Sequence, residues 1–314
     1  MRFSLSFLAF FTLLFSACTS VLPDGCPPLC FEAELPGKDL TKYSLIDAQF
    51  MESNLRGAIL SNLDLSRIDF SGANLQEADL NHSNLQEAFL IHANLTKANL
   101  VFSNFSYADL TNANLTEARL TGTHISTAKV AGAIFDDAEM YGIDLHGSDL
   151  RSAWLRRSKI SGGNLSHINL SGATLSASEL KGVLFIDAIL YGTWFNRASL
   201  GGANFSHALL NGASFYGADL SGAIFEYAQL TGANLVGANL RGADVRDADL
   251  RGAMFFLDQI NLYDLEQKDT QLLLLNEKEL KALEHDAILS GIKYNNMTKW
   301  PDGFKIPADA IKYE

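Results

Sequence analysis

The chain has 314 residues and little chemistry of the kinds that mark enzymes. It has three cysteines, Cys18, Cys26 and Cys30, and none after them, so a cysteine-based metal or redox site in the remaining chain is excluded. No nucleophile elbow, phosphate loop, zinc spacing or nucleotide fingerprint occurs. Asp136-Asp137 is a carboxylate pair without a visible partner or cleft, so no catalysis is assigned to it. No cofactor or small-molecule substrate is indicated. Acidic residues outnumber basic ones, 36 to 24, but no run of like charge forms a tail. A spread acidic surface favours solubility and disfavours direct binding to nucleic acid or anionic lipid.

No apolar run is long enough to cross a bilayer, which takes roughly 20 residues. Phe3–Phe15 is a shorter run, preceded by Arg2 and followed by Ser16, Ala17 and Cys18. A basic start, an apolar stretch and small residues at its end read as a secretory signal over residues 1–17. Leu14-Phe15-Ser16-Ala17-Cys18 resembles the lipobox of bacterial lipoproteins, with Phe15 where that family prefers Leu. The resemblance implies cleavage before Cys18 and acylation of its thiol, and so a lipoprotein held in the bacterial envelope. Thr19 follows the cysteine; in diderm bacteria the lack of Asp there accompanies sorting to the outer membrane. Simple cleavage with secretion, or release into the periplasm, is the alternative. Residues 18–37, with Pro23, Pro27, Pro28 and Pro36, read as a tether and N-terminal plug. Cys26 and Cys30 are spaced for a small disulfide loop in an oxidising compartment, a metal pair being the rival reading.

What the chain has in abundance is rhythm. Every fifth residue from Leu40 to Ile260 is Leu, Phe, Ile, Val or Met. Neither a helix of period 3.6 nor a strand of period 2 produces this, so the architecture is a repeat. Two residues before each centre, positions 48 to 253 offer 42 sites, of which 28 are Ala and nine are Ser, Thr or Gly. Asn and Asp are common just before the centre, and Gly recurs two places after it. One large and one small inward residue in every five suit a narrow tube. Asn, Asp and Gly suit its corners. Stacked coils would pair their backbone groups in ladders.

Stretches such as Ala93-Asn94-Leu95-Thr96-Lys97 and Ala233-Asn234-Leu235-Val236-Gly237 resemble the pentapeptide-repeat family, and the resemblance covers roughly residues 38–262. It implies an all-β fold, a right-handed quadrilateral parallel β-helix with one pentapeptide per side. Four repeats per coil give about 11 coils and a rod of about 50 Å at strand spacing. The unbroken register implies that no long loop leaves the body.

Past Ile260 the rhythm stops, and residues 263–314 read as an end cap. Asn276-Glu277-Lys278-Glu279 resembles a helix start, Leu280, Leu283, Ile288 and Leu289 fit one helical face, and Gly291 could end that helix. The segment Tyr294 to Phe304 resembles a closing motif, Y-x-x-x-T-x-W-P-x-G-F, at the ends of many bacterial pentapeptide-repeat proteins. It implies a plug in which Trp300 packs on its own fold.

Two sets of surface residues stand out. His167, Asp187, His207 and Tyr227 are 20 apart and should share a face, with His124 and His146 nearby. Ligands about one strand spacing apart with no third neighbour make a poor metal site, so none is assigned. Leu184, Ile186, Ile189, Tyr191, Trp194, Leu209, Tyr216, Ile224 and Tyr227 are apolar at outward positions within three coils. A smaller group is Phe89, Ile91, Val101, Phe102 and Tyr107. Contiguous exposed apolar surface marks interaction sites, so the larger set is the candidate patch for a protein partner or a second copy.

The sequence thus predicts a non-enzymatic, membrane-tethered rod acting as a rigid interaction scaffold. Two rivals are a DNA mimic that binds a topoisomerase, as some members of the resembled family do, and a β-helix that binds or cleaves glycans. The first is opposed by export and mixed charge, the second by flat walls.

Overall fold

A computed structural model describes residue 22, residues 26–256 and residues 287–314. The pentapeptide is the building unit. In nearly all of them the central residue and the one two before it point inward and are buried, as with Leu95 and Ala93 or Phe205 and Ala203, whereas Tyr43 and Leu63 are only partly buried. The residue between them faces outward and forms a parallel bridge to the residue 20 later, as Asn94 does with Asn114. The next two residues make a turn, closed by a bond such as Ala93 N–H to Leu90 O at 3.0 Å.

That turn needs a left-handed residue in its second position. Every such residue from Asp47 to Gly252 has φ between 54° and 72°. Glycine meets this at no steric cost, and Asn and Asp tolerate it best among the rest. The Asn or Asp on the wall then holds the corner from outside. Asn94 Oδ1 accepts the Thr96 backbone N–H at 3.1 Å, and Asn204 Oδ1 that of Ser206 at 2.9 Å. These are Asx-type bonds, which explain the polar residue before each centre.

Four walls result. The first runs through Leu29, Gln49, Asp69, Phe89 and onward to Asp249 and Lys299, the second through Glu34 to Met254. The third runs from Asp39 to Ile288, the fourth from Asp64 to Lys293. Thirteen rungs on the first wall, at strand spacing, make a rod of roughly 60 Å. Its axis is filled by stacked side chains. Phe185, Phe205 and Phe225 stack face to face at 4.8 and 5.0 Å, with Phe195 and Phe215 stacked beside them at 5.0 Å. Where Ser or Thr replaces the inward Ala, its hydroxyl donates to a carbonyl, as Ser83 Oγ does to Leu60 O at 2.7 Å. Among the described residues no inward hydroxyl of that kind is left without a partner.

The ends differ from the sequence reading. Coiling begins before residue 38: Leu29 and Glu34 already bridge to Gln49 and Asn54, and Cys30 is buried at a central position. A cysteine packs there as a small apolar residue, which a search for larger hydrophobic side chains overlooks. Cys26 is joined to Cys30 by a disulfide.

The expected C-terminal helix is not supported. Most of its span lies outside the described residues, as does Ile260. Its described end is a rung of the solenoid: Ile288 N–H donates to Ala238 O at 2.9 Å, and Leu240 N–H to Ile288 O at 2.8 Å. Ile288 pairs with Asn239, a place that residue 259 would fill in register. Ala287 N–H donates to Phe255 O at 3.0 Å, so among the described residues the coil after Phe255 is continued by Ala287 and Ile288, and the register does not run unbroken into the end. Local helical spacing lost to the unpaired N–H and C=O groups that the last coil offers. Gly291, expected to end a helix, is a corner residue with φ 63°. Strand β1 (Lys293–Tyr294) pairs in parallel with β2 (Ile311–Lys312) beyond it. Trp300 stacks on Phe304 at 4.8 Å, Phe304 lies 4.8 Å from the core ring of Phe255, and Thr298 Oγ1 donates to Val245 O at 3.0 Å. Among the described residues no helix is long and apolar enough to cross a membrane.

Candidate functional site

Position on the rod follows two counts. Five decides inside or outside; twenty decides which wall. Applied to the candidate patch, the second count divides it. Leu184 and Ile224 stand on the fourth wall with Asn204 between them, and Ile189 and Leu209 are adjacent rungs of the first. Ile186 and Tyr227 are in the corner that joins those walls. These six form one curved surface over three coils. Tyr227 is 54% exposed and carries the ring of His207 stacked on it at 5.0 Å.

The other three do not join this surface. Tyr191 sits at the far edge of the first wall, in its corner with the second. Trp194 stands on the second wall, above Thr174 and Trp154. Tyr216 lies in the corner after that wall and is 3% exposed, so it offers no contact area. One nine-residue patch is thus corrected to a six-residue corner surface plus separate residues. The smaller group also divides. Phe89, Ile91 and Tyr107 surround the first wall, whereas Val101 and Phe102 occupy the corner between the third and fourth, where Phe102 stacks on His82 at 5.2 Å.

The histidine column is real in geometry. His167 Nε2 is 3.9 Å from Asp187 Oδ2, and His146 meets the edge of His167 at 5.1 Å. Among the described residues, however, no three His, Cys, Asp or Glu side chains converge as metal ligands. Cys18 lies outside the described residues.

Sequence reasoning missed a charge ladder. Asp136, Asp137 and Glu139 on one coil meet Arg156, Arg157 and Lys159 on the next. The Arg157 guanidinium, bonding through Nε at 2.7 Å, holds Asp137 below the usual carboxylate range. The Asp136-Asp137 pair thus has its partners one coil away. It also missed Leu29, Phe31 and Ile46, exposed at the N-terminal end. The twenty-residue spacing would have shown the ladder.

A family model for pentapeptide repeats matches in eight copies between residues 39 and 256. The chain belongs to the pentapeptide-repeat family. Its wall geometry is therefore the family's right-handed quadrilateral β-helix. Among solved structures it is similar to HetL, a pentapeptide repeat protein involved in heterocyst differentiation regulation from the cyanobacterium Nostoc sp. strain PCC 7120. That match has 36% identity and a TM-score of 0.43, over 64% of this chain and 88% of HetL. It is similar also to QnrB1, a plasmid-mediated fluoroquinolone resistance protein, at 17% identity and a TM-score of 0.34, over 57% and 91% of the two chains. A pentapeptide repeat protein of the Arabidopsis thaliana thylakoid lumen aligns at 23% identity and a TM-score of 0.15, over 48% and 69%. No curated protein matched.

Proposed function

We propose that this pentapeptide-repeat protein is a non-enzymatic, envelope-anchored lipoprotein whose rod is a rigid protein-interaction scaffold. The lipobox-like stretch ending at Cys18 supports the anchor. The observation that carries the scaffold is the corner surface of Leu184, Ile186, Ile189, Leu209, Ile224 and Tyr227, apolar where the repeat formula supplies polar residues. A β-helix holds such residues at fixed spacing, so a partner or a second copy meets a surface that loses little conformational freedom on binding.

The anchor is tested by intact mass and fractionation. Acylated mature protein in membranes, lost in Cys18→Ser, is expected; a soluble chain that keeps its leader sinks the reading. The scaffold is tested by crosslinking from a photoreactive residue at position 189, with position 174 on the second wall as control. Ile186→Ser with Leu209→Ser should abolish the adduct at 189. Equal adducts from both walls would remove the surface from consideration.

The topoisomerase-binding alternative draws only on overall acidity. The Asp136–Arg156 ladder alternates sign along the rod, unlike the uniform charge of a phosphate backbone. Envelope residence in the fractionation would exclude it.

A further inference from the structure

Leu29, Phe31 and Ile46 are 62%, 55% and 51% exposed at the N-terminal end of the rod. They share one side. Leu29 is the first rung of the first wall, Phe31 follows it in one bounding corner, and Ile46 lies in the other bounding corner one coil on. Met51 succeeds Phe31 in the same corner, half-buried. The carboxylates of Glu32, Asp47 and Glu52 interleave with them, Asp47 being 3.5 Å from Arg67 Nε. Acidic groups among the apolar ones disfavour anionic head groups and leave shallow insertion of the apolar side chains as the favourable contact.

Chain continuity decides the occupant. Leu22 is buried against the end of the core. Only four residue steps separate it from Cys18, which spans at most about 14 Å. An acyl chain on Cys18 would therefore hold this end of the rod near the bilayer surface, within reach of the exposed apolar side chains of Leu29, Phe31 and Ile46.

From this the geometry points to a membrane-contact face: Leu29, Phe31 and Ile46 dock on the lipid surface at the anchored end of the rod, and the corner surface at Leu184–Tyr227, on the same side, lies farther along the rod, beyond the contact. This rests on the acylation of Cys18 proposed above. Eight coils separate Leu29 from the Ile189 rung and nine from the Leu209 rung, or about 40 Å at strand spacing.

The full chain, processed in its host and reconstituted in phosphatidylcholine–phosphatidylethanolamine vesicles, tests it. An environment-sensitive fluorophore is attached at Phe31→Cys, and in a second preparation at Tyr227→Cys; intact mass reports acylation of each. The label at position 31 is expected to brighten several-fold and to be quenched by lipids carrying a nitroxide near the head group. The label at 227 is expected to do neither. Acylated protein whose label at 31 stays in water overturns the contact face alone. An unacylated mass overturns the anchor and the contact face together. Brightening at 31 without vesicles, in a dimer, assigns the surface to a second copy instead and overturns the proposal.

Discussion

Asp136 and Arg156 stand one coil apart at the corner between the second and third walls, and Arg156 satisfies the carboxylate twice. Its backbone N–H donates to Oδ1 at 2.8 Å and its Nε to Oδ2 at 2.9 Å. The guanidinium also covers the Trp154 ring, 4.5 Å from its centroid. Asp136 is nearly buried, so removing its partner leaves a charge in a poorly hydrated site. Such a loss costs about 2–4 kcal/mol, whereas an exposed pair such as Lys97–Glu117 is worth less than about 1 kcal/mol. Arg156→Ala should therefore lower amide exchange protection around residues 136–157 strongly, and Lys97→Ala around 97–117 hardly at all. Equal effects would show that Asp136 remains solvated.

Phe102 lays its ring over Gly122. A Cβ at position 122 would fall 2.4 Å from that ring, while at Gly142, in the same corner one coil on, nothing lies within 4 Å. Both glycines have positive φ, so the strain of any side chain is common to both. Gly122→Asn is expected to cost about 1–2 kcal/mol more than Gly142→Asn. The gap should close when both are made in a Phe102→Ala background, since the coupling belongs to the ring. A gap that survives the deletion would move its cause to the backbone.

Thr127 is a β-branched residue at φ 59°, a conformation such side chains rarely accept. Asn occupies equivalent corners at Asn62 and Asn112. Thr127→Asn should raise stability by about 0.5–1 kcal/mol, read as a higher thermal midpoint. A lower midpoint would mean that the Thr127 hydroxyl bond to Ser126 O, 2.6 Å long, outweighs the strain.

Much of this fold is written in residues that do one job each. Leu95 must fill the axis, Ala93 must let the wall approach it, and Asn94 must hold the corner; their order reveals the coil without coordinates. The surface is harder to read because one further count is needed. Leu184 and Trp194 are both outward, but ten residues apart means opposite walls, so they cannot share a flat partner. The C-terminal coil was hidden for another reason. Ile288 and Leu289 carry helix-like spacing, and the force that makes a bridge of Ile288 comes from Ala238 and Leu240, some 50 residues earlier. Local pattern contains no trace of that demand.

Acid should loosen the C-terminal coil through Asp249. Arg251 donates to this carboxylate from Nη2 at 2.6 Å and from its backbone N–H at 3.2 Å, and Lys299 Nζ, on the last rung, is 3.5 Å away. These hydrogen bonds, Arg251's side chain foremost, and the two positive charges pull its pKa from 3.8 down to about 2. A depressed carboxylate pKa stabilises the fold above the unfolded value and loses that stabilisation as pH falls through the folded one. The contribution, allowing for solvent screening, is about 1–2 kcal/mol, present above pH 4 and gone below about pH 2. Asp249→Asn should weaken exchange protection of the Lys299 amide, which donates to Ala248 O at 2.9 Å, at neutral pH. The difference from the unsubstituted protein should vanish between pH 4 and 2. A variant that tracks the parent across that window would show that Asp249 does not hold the last rung.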